Sequence, residues 1–226
     1  MEKKIFSIAI DGPAGAGKST LARAAAARLG AMYLDTGAMY RTVGLYFLRK
    51  GLDGDAEAVA RLAADMDVGM DFDESGAQHM YLDGEDVSQA IRTPEASMAA
   101  SRVSAVPEVR ERLVRLQRDT ARGVAIVMDG RDIGTKVLPD ATLKVYLTAS
   151  AEVRALRRYS ELRGKGEAVA YHRVLDEIVE RDYNDMHRAA SPLARAADAK
   201  LLDTSNMTLQ EAEDALVCLA RAAIGG

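Results

Sequence analysis

The chain has 226 residues, 48% of them hydrophobic, which is enough for a sizeable packed core in one globular unit. Its formal net charge of -4 argues against a nucleic-acid partner, because a domain that grips a polyanionic backbone carries a basic excess. Small phosphorylated ligands stay open: they need a local arginine cluster rather than a positive total, and arginines outnumber lysines 22 to 8.

The stretch from Met1 carries Lys3 and Lys4 ahead of an apolar run, but Asp11 ends that run far short of an export signal or a membrane span. Ile5 to Ile10, apolar with no polar face, reads as a buried parallel strand. Gly12 to Gly17 form a turn, and Lys18 to Leu29, rich in Ala and Arg, form a helix closed by Gly30. Ala31 to Leu34 is a second buried strand, after which Asp35-Thr36-Gly37 turns into a helix over Ala38 to Lys50, with another at Asp55 to Asp65. From Val68 to Val87 short alternating segments, with turn signals at Asp73-Glu74-Ser75-Gly76 and Asp83-Gly84, predict a small antiparallel sheet inserted into the alternating fold. Pro94 and Pro107 punctuate two further helices, the second covering Glu108 to Arg122. Strands at Val124 to Met128 and Leu143 to Leu147 precede long helices at Ser150 to Arg163 and Tyr171 to Arg188, which Gly164-Lys165-Gly166 separates. A strand near Lys200 to Leu202 and a helix from Leu209 to Ile224 follow. Strands alternating with helices imply an α/β fold, a parallel sheet covered on both faces, with ligands beyond the carboxyl ends of the strands. Cys218, the sole cysteine, excludes an intrachain disulfide and a thiolate cluster, so a reducing, cytoplasmic setting is expected.

The run Gly12-Pro13-Ala14-Gly15-Ala16-Gly17-Lys18-Ser19 fits G-x-x-x-x-G-K-[ST] and lies between a predicted strand and a predicted helix, as that motif requires. Glycines let the backbone curl so that its N–H groups converge on phosphate oxygens at a helix N-terminus. Lys18 then bridges the terminal phosphates, and the Ser19 hydroxyl serves Mg²⁺. The loop points to a nucleoside triphosphate without separating a kinase from an ATPase or a nucleotide-dependent switch.

Thr36 and Arg41, after the second strand, are placed to meet an anion at the same sheet edge. So is Asp129-Gly130-Arg131-Asp132, where Asp129 is a candidate for ordering Mg²⁺ through water and Arg131 for neutralising a transferring phosphate. Arg181, Asp185 and Arg188, spaced i, i+4, i+7, share one helix face. In isolation that face reads as a solvated salt-bridge ladder; beside a glycine loop it reads as a phosphate clamp. A phosphate acceptor needs no general base, since its second pKa is about 6. The three histidines, His79, His172 and His187, fall outside these motifs and read as surface residues.

Beyond the glycine loop, five ordered segments, LDTGAMYR (34–41), LDGEDVSQAIRTPE (82–95), AASRVSAVPEVRERL (99–113), DGRDIGT (129–135) and ERDYNDMHRAASPL (180–193), make the chain resemble bacterial cytidylate kinases from Ile8 to about Leu202. The resemblance implies a P-loop NTPase three-layer fold forming one domain over 1–226. It also implies a nucleoside monophosphate-binding insertion at about 66–103 and a short helical lid at about 154–170, both closing over the nucleotides. It implies transfer of the γ-phosphoryl group of ATP to CMP or dCMP with Mg²⁺, by a monomer with no membrane or nucleic-acid partner. Gly12 to Ser19, Thr20 and Arg157 would then serve ATP. Thr36, Gly37, Tyr40 and Arg41 would surround the acceptor phosphate and sugar, with Arg131 and Arg188 near phosphate and Arg181 and Asp185 at ribose and phosphate. Ser101, Arg110 and Asp132 would read the cytosine edge, although Ser101 and Arg110 by themselves read as ordinary helix surface. Lys18, Arg131, Arg188 and Asp129 would carry the chemistry. Some members of the family have Ser at the position of Thr36 and Gly at that of Ser19, so this chain keeps one hydroxyl and adds another. The alternatives are a small P-loop kinase for AMP, dTMP or a shikimate-like acceptor, and a nucleotide-dependent switch.

Overall fold

A computed structural model describes residues 4–52 and 54–225. Met1 to Lys3, Asp53 and Gly226 lie outside the described residues, and with them the Lys3 of the N-terminal reading and both ends of the expected 1–226 domain. In chain order the elements are β1 (Ser7–Asp11), α1 (Lys18–Leu29), β2 (Met32–Asp35), α2 (Thr36–Arg49), α3 (Ala56–Leu62), β3 (Val68–Phe72), β4 (Gln78–Leu82), β5 (Glu85–Asp86), α4 (Pro94–Val103) and α5 (Pro107–Ala121). There follow β6 (Ile126–Gly130), β7 (Leu143–Thr148), α6 (Ala151–Gly164), α7 (Tyr171–His187), β8 (Lys200–Asp203) and α8 (Leu209–Gly225). They gather into two compact units, one of Met1–Ala31 with Ala125–Gly226 and one of Met32–Val124.

In the first unit the strands lie in the order β6-β1-β7-β8, all parallel. Ile8, Ala9 and Ile10 of β1 and Ile126, Val127 and Met128 of β6 are wholly buried. Being covered on both faces, these strands show continuous apolar runs instead of alternation. Register pairs Ile10 with Asp129 and Asp11 with Gly130, so the polar ends of β1 and β6 come level. Helix α1 packs on β6 and α8, through Leu21, Ala22, Ala25 and Ala26 on its side and Ala212, Leu216, Val217 and Ala220 on α8. Helices α6 and α7 share a small core of Ala155, Leu162, Val174 and Ile178.

In the second unit Asp35 caps α2 by accepting from the Ala38 N–H at 2.9 Å, a stabilisation of about 1 kcal/mol for a good N-cap. Helix α2 packs on α4, where Gly44 lets the backbone of Ala99 and Ala100 come close. Strands β3, β4 and β5 form the small antiparallel sheet, Met70 opposite Met80 and Leu82 opposite Glu85. The Gln78 side chain accepts from the Asp35 N–H at 2.8 Å and so ties β4 to the start of α2.

The predicted elements all appear, with ends moved by up to three residues, the largest shift at the end of α3, expected at Asp65 and found at Leu62. Two short turns had no forecast: a 3-10 turn at Ala90–Arg92 and a π-helical turn at Ile133–Val137. Single turns carry too few residues for a periodic signature. Among the described residues no helix is long and apolar enough to cross a membrane.

Candidate active site

The glycine loop leaves the carboxyl end of β1 and enters α1 at Lys18. Gly12 has φ +154°, and a Cβ there would lie 1.9 Å from the Leu147 carbonyl oxygen of β7, so only glycine lets the loop start this close to the sheet. Gly17, at φ +87°, is the left-handed residue that starts the helix. Lys18 is buried and its ammonium donates to the Pro13 carbonyl at 2.7 Å, curling back over the loop it follows. Burial first, then the guanidinium of Arg131, pulls the Lys18 pKa well below its usual value, against the opposing pull of Asp129. The Ser19 hydroxyl donates to Asp129 Oδ2 at 2.8 Å, so one hydroxyl and one carboxylate oxygen meet at the ends of α1 and β6. Thr20, also expected at the nucleotide, is exposed on α1.

Asp129 and Gly130 end β6, and Arg131 and Asp132 follow at once. Arg131 Nε donates to Asp185 Oδ2 at 2.7 Å. Burial pushes the Asp185 carboxyl up, yet the guanidinium groups of Arg131, Arg181 and Arg188 outweigh it and hold it below the usual carboxylate range. Arg188 donates from Nε to the Ser191 carbonyl at 2.8 Å and comes within 4.0 Å of Asp132 Oδ1. Asp132 and Asp185 are 4% and 5% exposed, so the face formed by Arg181, Asp185 and Arg188 is not a solvated ladder. It is a packed cluster of three arginines and two aspartates, Arg131, Arg181, Arg188, Asp132 and Asp185, reaching from α7 to the end of β6.

A second buried network stands under the loop. Arg154 of α6, 4% exposed, donates from Nη1 to the Ala14 carbonyl, from Nε to the Ala149 carbonyl, both at 2.9 Å, and from Nη2 to Asp182 Oδ2 at 2.6 Å. Motif reading passes over Arg154 and Asp182 because the contacts they make are with residues 140 and 28 positions away along the chain. Arg157, expected on the donor nucleotide, donates to the Thr204 hydroxyl and carbonyl at 3.2 and 2.8 Å at the end of β8.

In the second unit Thr36 is buried at the start of α2, and Arg41 Nη2 pairs with Asp35 Oδ2 at 2.9 Å, one turn from Gly37. Arg110 is 5% exposed, donates to the Ser104 carbonyl at 3.2 Å and lies over the Tyr40 ring at 5.6 Å, so the helix-surface reading of this residue is replaced by a buried one. Ser101, on α4, is half-buried. Burial of an arginine and its stacking on an aromatic depend on α2 and α5 packing together, which spacing along the chain does not reveal.

A strand, a glycine turn and a helix that begins with a buried lysine and a hydroxyl paired to the next strand's aspartate define a nucleoside triphosphate-binding protein of the P-loop class. The fold is similar to that of a solved structure described as an uncharacterized protein from Eubacterium ventriosum, with a TM-score of 0.50 and 13% identity over 98% of this chain and 99% of that one. The family model for cytidylate kinase matches residues 8–222. The cytidylate kinase of Pelotomaculum thermopropionicum is 54% identical over 206 residues, 91% of each chain. That of Caldicellulosiruptor saccharolyticus is 50% identical over 209 residues, 92% of each. The chain belongs to the cytidylate kinase family.

Proposed function

We propose that the protein transfers the γ-phosphoryl group of ATP to CMP or dCMP. The observation that carries this reading is the pairing, in a member of this family, of the glycine loop and its buried Lys18 with the charged cluster of Arg131, Asp132, Asp185 and Arg188. Phosphoryl transfer asks little covalent chemistry of a protein: it needs two phosphates held in line and their charge neutralised. The loop N–H groups and Lys18 hold the donor phosphates, and a phosphate beside Lys18 favours the ammonium form that burial opposes. Arg131 and Arg188 offset the charge on the transferring group, with Arg181 and Asp185 at the acceptor's ribose and phosphate. No general base is required, because the acceptor phosphate is already largely dianionic at neutral pH.

The donor set of Ser19 and Asp129, hard oxygens side by side, suits Mg²⁺, which when bound would neutralise phosphate charge. Asp132 fits base selection, since a carboxylate accepts from the exocyclic amine of cytosine and repels the carbonyl that uracil presents there. The acceptor roles of Thr36, Gly37, Tyr40, Arg41, Ser101 and Arg110 are proposed on the family resemblance, as is a lid at about 154–170 within an otherwise single domain.

Initial rates with ATP, Mg²⁺ and a panel of nucleoside monophosphates test the proposal. CMP and dCMP should turn over well above AMP, dTMP and shikimate, and ATP without an acceptor should be hydrolysed slowly. Equal turnover of AMP or dTMP would overturn the acceptor, and fast acceptor-free hydrolysis would overturn the transferase reading.

A further inference from the structure

Asp11, the last residue of β1, belongs to no motif yet is 4% exposed and sits directly before the glycine loop. Its two carboxylate oxygens accept one backbone N–H each: Oδ1 from Ile133 and Oδ2 from Gly134, both at 2.7 Å. These are the opening amides of the π-helical turn that follows Arg131 and Asp132. Such amides have no partner within their own turn, and the residue in the capping position commonly supplies one. Here that residue is Asp132, and it makes no side-chain capping bond. The register that sets Asp11 beside Gly130 brings the substitute from the neighbouring strand.

We infer that Asp11 is a positioning residue for the acceptor nucleotide: by capping the turn that follows Arg131 and Asp132, it fixes where those two side chains project. The backbone of the same residue leads into the glycine loop, whereas its side chain reaches the acceptor turn. Burial pushes its carboxyl up to about 6, and the two N–H bonds resist that shift. At neutral pH it is therefore ionised and accepts both bonds as a carboxylate. The inference rests on the assignment of Arg131 and Asp132 to the acceptor.

Asp11→Asn tests it, because a side-chain amide has one accepting oxygen and turns its NH₂ toward the other N–H. The variant should raise the KM for CMP and lower kcat by about tenfold or more per folded molecule. The KM for ATP should stay within about twofold, and the CMP to UMP preference should narrow. Amide exchange of Ile133 and Gly134 should quicken while that of α1 does not. Gly134→Ala serves if Asp11→Asn fails to fold: its Cβ would stand 3.3 Å from Asp11 Oδ2 and 3.1 Å from the flexible Lys144 chain, loosening the same bond with the carboxylate retained. It should move the same parameters in the same direction. Parallel rises in both KM values, or faster amide exchange with unchanged kinetics, would show a brace for the fold alone and overturn the inference. Asp132→Asn and Arg131→Ala are measured alongside. If they too leave CMP kinetics unchanged, the acceptor assignment has failed; if they alter CMP kinetics and the Asp11 and Gly134 variants do not, only the role of Asp11 has.

Discussion

Arg188 closes α7 and reaches Asp132 and the Ser191 carbonyl, so its guanidinium is held before any ligand arrives. Charge held in place beforehand needs no reorganisation during reaction, which is where such groups contribute most. Arg188→Ala should lower kcat by about 10²- to 10³-fold with a near-native circular dichroism spectrum; retention of wild-type turnover in a coupled assay would remove Arg188 from the chemistry. Lys18, Ser19 and Asp129 were legible in the sequence because the glycine loop and the strand ends locate them without tertiary knowledge. Asp11, Arg154 and Asp182 were not. Each acts on backbone or charge supplied by a distant segment, and a lone aspartate or arginine in a sequence has no mark of being buried.

At the scale of elements, the apolar runs of β1 and β6 and the helical spacing of α5 were readable because burial on two faces, or on one helical stripe, leaves a pattern in the residues themselves. The surface reading of the histidines holds for His172 and His187, both exposed, but His79 is half-buried on β4. Its ring lies 3.1 Å from Asp86 and 3.4 Å from Asp73, which raises its pKa above 6.5, Asp86 contributing most. Hydrogen bonds from Ser75 and Ala77, and from Ser88, hold the Asp73 and Asp86 carboxyls down to about 2. A histidine whose folded pKa lies above its unfolded value stabilises fully below about 6.5 and loses that contribution as pH rises through the folded pKa. The two aspartates act oppositely: their contribution is complete above about 4 and is lost as pH falls toward 2. Amide exchange in Gln78–Leu82, corrected for its intrinsic pH dependence, should therefore accelerate as His79 deprotonates, and His79→Gln should abolish that step. An unchanged step in the variant would assign it elsewhere.

For the whole molecule, the first unit is assembled from both ends of the chain, with α1 resting on α8 and Arg28 bridging Glu213 and Asp214. The ion pairs are largely exposed and contribute little, whereas Leu216 of α8 is wholly buried. Leu216→Ala should cost about 2 to 5 kcal/mol in urea-induced unfolding, while Arg28→Ala should cost less than about 1 kcal/mol. Alternation of strands and helices announced this architecture; the closing of a core by segments nearly two hundred residues apart did not show in any local pattern. The contact of Gly12 with the Leu147 carbonyl has a consequence for variation. A library randomised at codon 12 should yield glycine alone among active clones, since even alanine would have to push β7 aside. The first position of the nucleotide cradle is thus policed by a strand that takes no part in the motif, and any transplant of the loop into another scaffold must bring an equally close carbonyl wall, or room in its place.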